Sequence, residues 1–141
     1  MSESINTIQE EVVEEFGLFD QWMDKYEYLI DLGKKLPLIE PSFKDENHLI
    51  PGCQSQVWLH AELVDDRIQF TADSDAVITR GIIALLIRVL SGQKPAEIAG
   101  ADLYFIDRIG LREHLSPTRS NGLVSMVGKM RSIGKEFSRL N

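Results

Sequence analysis

The hydrophobic pattern changes its period twice along the chain, and this change constrains the fold more than any other feature. From Gln56 to Leu63, and again from Ile68 to Ala72, polar and apolar residues alternate, which is typical of strands with one buried face. The segments on either side repeat apolar residues every three or four positions, as helices do. A hairpin flanked by helices predicts an α+β fold in two layers, with a small antiparallel sheet of about three strands.

Two helices are predicted before the hairpin. The first covers about Ile5–Phe16, where apolar residues recur at four-residue spacing and glutamates fill the other side. The second covers about Leu18–Lys34 and carries an aromatic stripe, for which core packing is favoured over a cofactor site. Gly33 is expected to end this helix, because Pro37 prevents its continuation.

Helices also dominate the part of the chain after the hairpin. The first of them is apolar around most of its circumference, so it is predicted to be the central buried helix, capped by Ser74 or Asp75. Pro95 is expected in the first turn of a short helix. Ser116 and Pro117 are expected to begin the last helix. Its predicted apolar stripe consists of Leu123, Val127, Met130, Ile133, Phe137 and Leu140.

Length and charge restrict the class of protein. The 141 residues suit a single domain, residues 1–141. Twenty-two acidic against fifteen basic residues give a net charge of -7, which disfavours nucleic acid as a partner. The longest apolar run, residues 81–87, is far short of a membrane span, and the acidic N-terminal segment does not resemble a secretory signal. We therefore expect a cytoplasmic protein that does not bind membranes.

Cys53 is the only cysteine of the chain, so it cannot form an internal disulfide, which fits a reducing compartment. A lone cysteine is most often a small buried hydrophobic residue. Here, however, Pro51 and Gly52 precede it, which predicts a turn that leads into a strand. Gly52 leaves room for another backbone to approach closely. A thiol in such a loop is a candidate nucleophile once it is ionised.

The remaining residues narrow the chemistry that Cys53 can perform. Dithiol redox chemistry needs a second cysteine, and a metal site needs several clustered ligands, so we expect no metal and no cofactor. His48, His60 and His114 have no signature spacing to the cysteine, although a Cys–His pair in space stays open. What remains is a thiol that receives a group from a partner and passes it on.

Four stretches together resemble the SufE family. They are "YEYLIDLGKKLP" (26–37), "GCQSQVWL" (52–59), "ADSDAVITRGIIALL" (72–86) and "LSPTRSNGL" (115–123). The resemblance implies the α+β fold that this family shares with IscU-type scaffolds. It also implies that Cys53 accepts a persulfide sulfur, stimulates the donor enzyme and passes the sulfur to iron–sulfur cluster assembly.

The partners that the resemblance implies are a pyridoxal-phosphate cysteine desulfurase of the SufS or CsdA kind and a SufBCD-like scaffold complex. The CsdE branch shares the cysteine motif, so the choice of desulfurase stays open, as does a homodimer. The pyridoxal phosphate belongs to the partner, and we expect no stand-alone turnover from this sulfurtransferase-like acceptor. Two alternatives remain, namely a single-cysteine thiol enzyme and an adaptor that regulates a desulfurase without accepting sulfur.

Five residues are candidates for supporting or partner-binding roles around Cys53. Gly52, Gln54, Ser55 and Gln56 belong to the same motif, and the two glutamines either fix the loop, touch the partner or are ordinary surface residues. Arg119 lies in the first turn of the last helix, where the helix dipole favours anions. A positive charge at this position is compatible with attracting a thiolate, a persulfide or a partner carboxylate. The alternative is that Arg119 is an ordinary surface arginine.

Nearby residues have structural explanations that need no function. Trp58 is expected to pack under a helix rather than to shield the thiol, and His60 to be a satisfied or solvated strand residue. Asp73 and Asp75 are expected at the strand end and in the helix cap, with an interface role as the alternative.

Overall fold

The computed structural model describes residues 3–139, which form helices and one small antiparallel sheet, so the predicted α+β class is confirmed. The helices are α1 (Ile5–Phe16), α2 (Trp22–Lys34), α3 (Val77–Leu90), α4 (Pro95–Ala99), α5 (Phe105–Arg108) and α6 (Pro117–Arg139). The strands are β1 (Val57–Val64) and β2 (Arg67–Ser74). Short 3₁₀ turns cover Pro41–Phe43, Glu46–His48 and Arg112–His114. Within residues 3–139, no helix combines the length and apolar character needed to cross a bilayer.

The two strands pair antiparallel along their full lengths, with Val57 opposite Ser74 at the open end. Asp65 and Asp66 form the tip, and their φ angles of 50° and 69° are both positive. A two-residue turn with two positive φ angles matches the twist of the strands, and aspartate tolerates this conformation better than most residues. The pair therefore replaces the glycine that such a tip usually carries.

The sheet has two strands instead of about three, because the segment beside β2 pairs with it only at one point. Ile39 donates its amide to the carbonyl of Ala72 at 3.1 Å, and Ala72 donates to the carbonyl of Pro37 at 3.0 Å. Pro37 has no amide hydrogen and cannot extend the ladder. This edge is thus closed by an isolated bridge rather than by a strand.

Helix α2 begins at Trp22, four residues later than predicted. Leu18 and Phe19 donate their amides to the last turn of α1, so this stretch forms the tight turn between the two helices. Gln21 is extended, with φ of -120°, and marks the true start of α2. The hydrophobic pattern was misleading here, because Leu18 is apolar yet 79% exposed.

Helix α2 ends at Lys34, as predicted, and Gly33 in its last turn lies close to α3. A Cβ placed on Gly33 would lie 2.9 Å from the amide nitrogen of Gly81. A Cβ placed on Gly81 would overlap the carbonyl oxygen of Leu29. The two glycines therefore let the helix backbones touch, which gives Gly33 a second reason beside its position at the helix end.

Helix α3 is the central helix, as predicted, and ten of its fourteen residues are buried between α2 and the sheet. The predicted cap was wrong, since Ala76 occupies that position and no side chain caps the helix. The Ser74 hydroxyl instead accepts a hydrogen bond from the amide of Ala76 at 3.2 Å. Asp75 is directed to the loop that holds the cysteine, as described below.

Helix α6 begins as predicted, with Pro117 in its first position and the Ser116 hydroxyl accepting the amide of Arg119 at 3.3 Å. It packs against α4, which begins at Pro95 as expected. Gly134 makes this contact close, because a Cβ there would lie 2.9 Å from the backbone of α4. The apolar face of α6 consists of Leu123, Met126 and Met130, which are buried, and Val127, Ile133 and Phe137, which are partly buried. The predicted member Leu140 lies outside the described residues.

Candidate functional site

Cys53 lies in a six-residue loop, residues 51–56, whose two ends are joined by a backbone hydrogen bond. Ile50 donates its amide to the carbonyl of Val57 at 2.8 Å, and Leu49 forms an isolated antiparallel bridge with Trp58. The bridge and the hydrogen bond form the stem of the loop. Cys53 therefore sits in a turn that leads into β1, where the sequence pattern predicts it.

Gly52 is held in a conformation and a contact that favour glycine. Its φ of 89° lies in the left-handed region. A Cβ there would also lie 2.5 Å from the hydroxyl oxygen of Ser125 in α6. The close approach expected at Gly52 is thus made by a helix of the same chain, which positions the loop against α6.

The thiol of Cys53 is half-buried against α6. Its sulfur donates a hydrogen bond to the backbone carbonyl of Gly122 across 3.6 Å. A Cβ on Gly122 would lie 3.6 Å from Sγ, an ordinary van der Waals distance, so the helix passes close to the thiol at this residue. Burial raises the pKa of the Cys53 thiol above its ordinary value, since the thiolate loses solvation. The resting site therefore holds a protonated and weakly nucleophilic thiol.

A cavity of about 300 Å³ opens beside the thiol. The loop, the start of α3 and the first three turns of α6 form its walls. Four hydroxyl side chains, one amide and one guanidinium supply the polar part of the lining, while the thiol, an alanine and a methionine supply the apolar part. The lining residues are Cys53, Gln54, Ser55, Ala76, Thr79, Ser116, Thr118, Arg119, Gly122 and Met126. Such a space accommodates a small group attached to Cys53, and hydroxyl hydrogens can donate to it if it is anionic.

The supporting residues proposed from the sequence separate into two groups. Gln54, Ser55 and Arg119 line the cavity, and Arg119 is exposed at its mouth. Gln56 does not line the cavity, and its backbone amide donates to the carboxylate of Asp75 at 3.0 Å. The amide of Asp75 donates back to the carbonyl of Gln56 at 3.3 Å. Asp75 is therefore a tie that holds the end of the loop to the start of α3.

The histidines do not supply a base for the thiol in the described part of the chain. None of the three lines the cavity or is a hydrogen-bond partner of Cys53. His48 and His60 contact each other on the outer face of β1, and His114 stacks on Trp22 with 4.0 Å between ring centroids. His60 is a satisfied strand residue, as expected. Among residues 3–139, no three or more His, Cys, Asp or Glu side chains converge on a metal position.

Trp58 lies outside the cavity and packs at the surface. It is partly buried, and the ammonium of Lys44 lies 4.7 Å from the centroid of its ring. The same ammonium is 2.9 Å from Asp73, which also binds Arg80 at 3.2 Å. The ring of Trp58 is therefore covered by a cation, and its packing under a helix stays a prediction.

Comparison with known families identifies the type of protein that carries this loop. A family model described as "SufE: Fe-S metabolism associated domain" matches residues 10–133, which include the cysteine loop, α3 and most of α6. The chain belongs to the SufE family. Membership supports a role in iron–sulfur metabolism and sulfur transfer.

Relatives agree with membership in the SufE family. An uncharacterized SufE-like protein of Rhizobium meliloti is 39% identical over 131 residues, which cover 89% of this chain and 94% of the relative. The SufE-like protein 1 of Arabidopsis thaliana, described as chloroplastic/mitochondrial, is 38% identical over 122 residues, which cover 86% of this chain and 33% of that longer protein. A hypothetical protein from Thermus thermophilus, whose solution structure is known, shares the fold with a TM-score of 0.76 and 19% identity. That match covers 92% of this chain and 94% of the other.

Sequence reasoning on this SufE family member missed the residues that face the loop from the helices. Thr79, Gly122 and Met126 line the cavity, and Ser125 contacts the Gly52 turn. A partial signal existed, because Gly122 belongs to the stretch "LSPTRSNGL" on which the resemblance rests. A glycine inside a predicted helix indicates a close approach, but the pattern alone does not name its partner.

Proposed function

We propose that Cys53 accepts a sulfane sulfur from the persulfide of a pyridoxal-phosphate cysteine desulfurase and passes it on for iron–sulfur cluster assembly. One observation carries this proposal: the single thiol lies on a loop with a closed stem, directly beside a cavity large enough for one more sulfur atom. Membership of the SufE family supports the kind of partner.

The transfer is a thiol exchange that needs no external oxidant. The Cys53 thiolate attacks the outer sulfur of the desulfurase Cys–S–SH group. A new sulfur–sulfur bond forms on Cys53, the old one breaks, and the desulfurase cysteine leaves as a thiolate. The products are Cys53–S–SH and a free desulfurase thiolate, so electrons and protons balance.

The resting site is unsuited to the attack itself, which implies a movement of the loop. The thiol is protonated, half-buried and bonded to the carbonyl of Gly122. Leaving this position exposes the sulfur and removes the burial that disfavours the thiolate. The stem bond between Ile50 and Val57 and the tie at Asp75 lie outside the part that must move, residues 51–55. Gly52 is the natural pivot, because glycine has the widest backbone freedom.

After transfer, the cavity gives the terminal sulfur a protected place. The hydroxyls of Ser55, Thr79, Ser116 and Thr118 line the space and can donate hydrogen bonds to an anionic persulfide. Arg119 adds a positive charge at the mouth, which favours an anion in the cavity. The loop thus alternates between a storage position against α6 and an outward position that meets the donor or the receiving scaffold.

Desulfurase turnover with and without this protein tests the proposal and separates it from its rivals. The wild-type chain should increase the rate of sulfide or alanine formation from cysteine, whereas Cys53→Ser should bind the desulfurase without stimulating it. Full stimulation by Cys53→Ser would mean that the chain is an adaptor and would overturn the acceptor role. Turnover of a thioester or a peroxide without any desulfurase would instead favour a thiol enzyme.

A further inference from the structure

A second cluster of polar side chains lies on the outer face of β1, away from the cavity. The four side chains form a chain of contacts that runs from carboxylate to carboxylate. Asp45 Oδ1 lies 2.8 Å from His48 Nδ1, and His48 Nε2 lies 3.2 Å from His60 Nδ1. His60 Nε2 in turn lies 3.1 Å from Glu62 Oε1. Each imidazole therefore uses one nitrogen for a carboxylate and directs the other at its neighbour.

The two rings are held in place by the elements that carry them. His60 and Glu62 are two positions apart on β1 and share a face of the strand. Phe43 stacks on His60, with centroids 4.1 Å apart and an interplanar angle of 14°, and its ring also lies 5.1 Å from His48. The His48 backbone amide donates to Asp45, which fixes the start of its short 3₁₀ turn. The rings are therefore oriented before any ligand arrives.

We propose that His48 and His60 bind one divalent transition-metal ion through their facing nitrogens. Those nitrogens are 3.2 Å apart. Two metal–nitrogen bonds of about 2.0–2.1 Å across this gap enclose an angle of about 100° at the metal, near the tetrahedral value. The carboxylates of Asp45 and Glu62 occupy the far nitrogens, which is the arrangement that orients histidine ligands and raises their basicity in metal sites.

Charge and access both suit a cation at this position. The carboxylates of Asp45 and Glu62 flank the two histidines, so their negative charges stabilise a bound dication. The side chains of His48 and His60 are 22% and 19% exposed, which lets an ion reach them from solvent. The carboxylates accept hydrogens from the far nitrogens, so two neutral rings present their facing nitrogens as lone pairs, which a metal ion needs.

The number and type of ligands indicate which ions bind. Imidazole suits copper, nickel and zinc, and copper(II) forms the strongest complexes in this series. Two protein ligands leave the other positions to water, so the ion exchanges readily and the site differs from a closed structural cage. A bound ion would join the segments before and after the Cys53 loop, because His48 and His60 flank its stem. This inference does not depend on sulfur transfer by Cys53.

Copper(II) and zinc(II) titrations of the untagged full chain in the Cys53→Ser background test the proposal, because this background removes the competing thiol ligand. We expect one ion per chain by calorimetry, and a copper(II) paramagnetic resonance spectrum with two imidazole nitrogens. His48→Gln and His60→Gln should each weaken binding at least about tenfold. His114→Gln is the matched control and should bind like the parent. Binding that is equal in all variants, or an absence of saturable binding, would overturn the site.

A second pair of variants distinguishes a built site from two exposed histidines. Asp45→Asn and Glu62→Gln leave both imidazoles in place but remove the charges that orient them. Each should weaken the metal by about 10- to 100-fold in dissociation constant, while circular dichroism shows an intact fold. Unchanged affinity in both would contradict the proposed arrangement.

Discussion

The thiol of Cys53 donates a hydrogen bond to the backbone carbonyl of Gly122, with 3.6 Å between sulfur and oxygen. A carbonyl accepts a hydrogen and cannot donate one, so this contact exists only for the protonated thiol. Burial acts in the same direction, because it raises the pKa of Cys53. The position against α6 thus stores the cysteine in its unreactive form.

Alkylation by iodoacetamide should reveal the raised pKa of Cys53. We expect the folded chain to react slowly near neutral pH and to show an apparent pKa above that of the chain unfolded in denaturant. Because the folded value is the higher one, the protonated thiol contributes its stability fully below the unfolded pKa. That contribution is lost as the pH rises through the folded pKa, so wild type should lose stability relative to Cys53→Ala above about pH 8.5. Equal pKa values in the folded and unfolded chains would contradict the storage position.

Removing the tie between the loop and α3 should loosen the loop. Asp75→Ala removes the carboxylate that accepts the backbone amide of Gln56, which should lower the free energy of unfolding by about 0.5–1.5 kcal/mol. We expect Cys53 to be alkylated several times faster in this variant, because the loop leaves α6 more often. Asp20→Ala, which removes the same charge from the turn between α1 and α2, is the control. If both variants react at the wild-type rate, Asp75 does not restrain the loop.

Arg119→Ala should weaken the function without weakening the fold. Arg119 is exposed at the first turn of α6, so its loss should change the free energy of unfolding by no more than a few tenths of a kcal/mol, and the helix dipole favours the change. We expect lower stimulation of the desulfurase, partly recovered in Arg119→Lys, which keeps the charge. Arg131→Ala, farther along the same helix and outside the cavity, should stimulate normally. Normal stimulation by Arg119→Ala would remove Arg119 from the site.

The same substitution should have opposite effects at two helical glycines, one at the contact between α2 and α3 and one on the open side of α6. In Gly81→Ala the new methyl meets the carbonyl of Leu29, which should cost about 1–3 kcal/mol. In Gly128→Ala nothing lies within 4 Å of the new methyl, and helix propensity should add about 0.5–1 kcal/mol. Urea denaturation measures both. A neutral Gly81→Ala would show that the helices separate easily.

Much of this fold follows from the local pattern of the sequence, and the errors arise where local and tertiary requirements differ. The alternation of apolar and polar residues predicts β1, and the apolar circumference predicts the buried helix α3. Both patterns follow from which side chains each element buries. Leu18 was misleading because an exposed turn also accepts an apolar residue. Gly33 lies near the helix end that the pattern predicts, but its contact with Gly81, 48 positions away in sequence, is not visible in a local pattern.

The candidate site follows the same division. The turn-forming residues Pro51 and Gly52 predict that Cys53 lies in a loop, and the local sequence is sufficient for that prediction. The contacts of Cys53 with Gly122 and of Gly52 with Ser125 depend on how α6 packs, which no local pattern encodes. Asp75 was assigned to a helix cap, and only the structure connects it to Gln56.

The most direct test of sulfur acceptance is the mass of the Cys53 peptide. The chain is incubated with a cysteine desulfurase, pyridoxal phosphate and cysteine, then alkylated and digested without reductant. The account predicts a peptide heavier by one sulfur atom than the peptide from a reaction without cysteine, and no added sulfur anywhere in Cys53→Ser. A desulfurase that turns over in the presence of the chain while the Cys53 peptide keeps its original mass would contradict it.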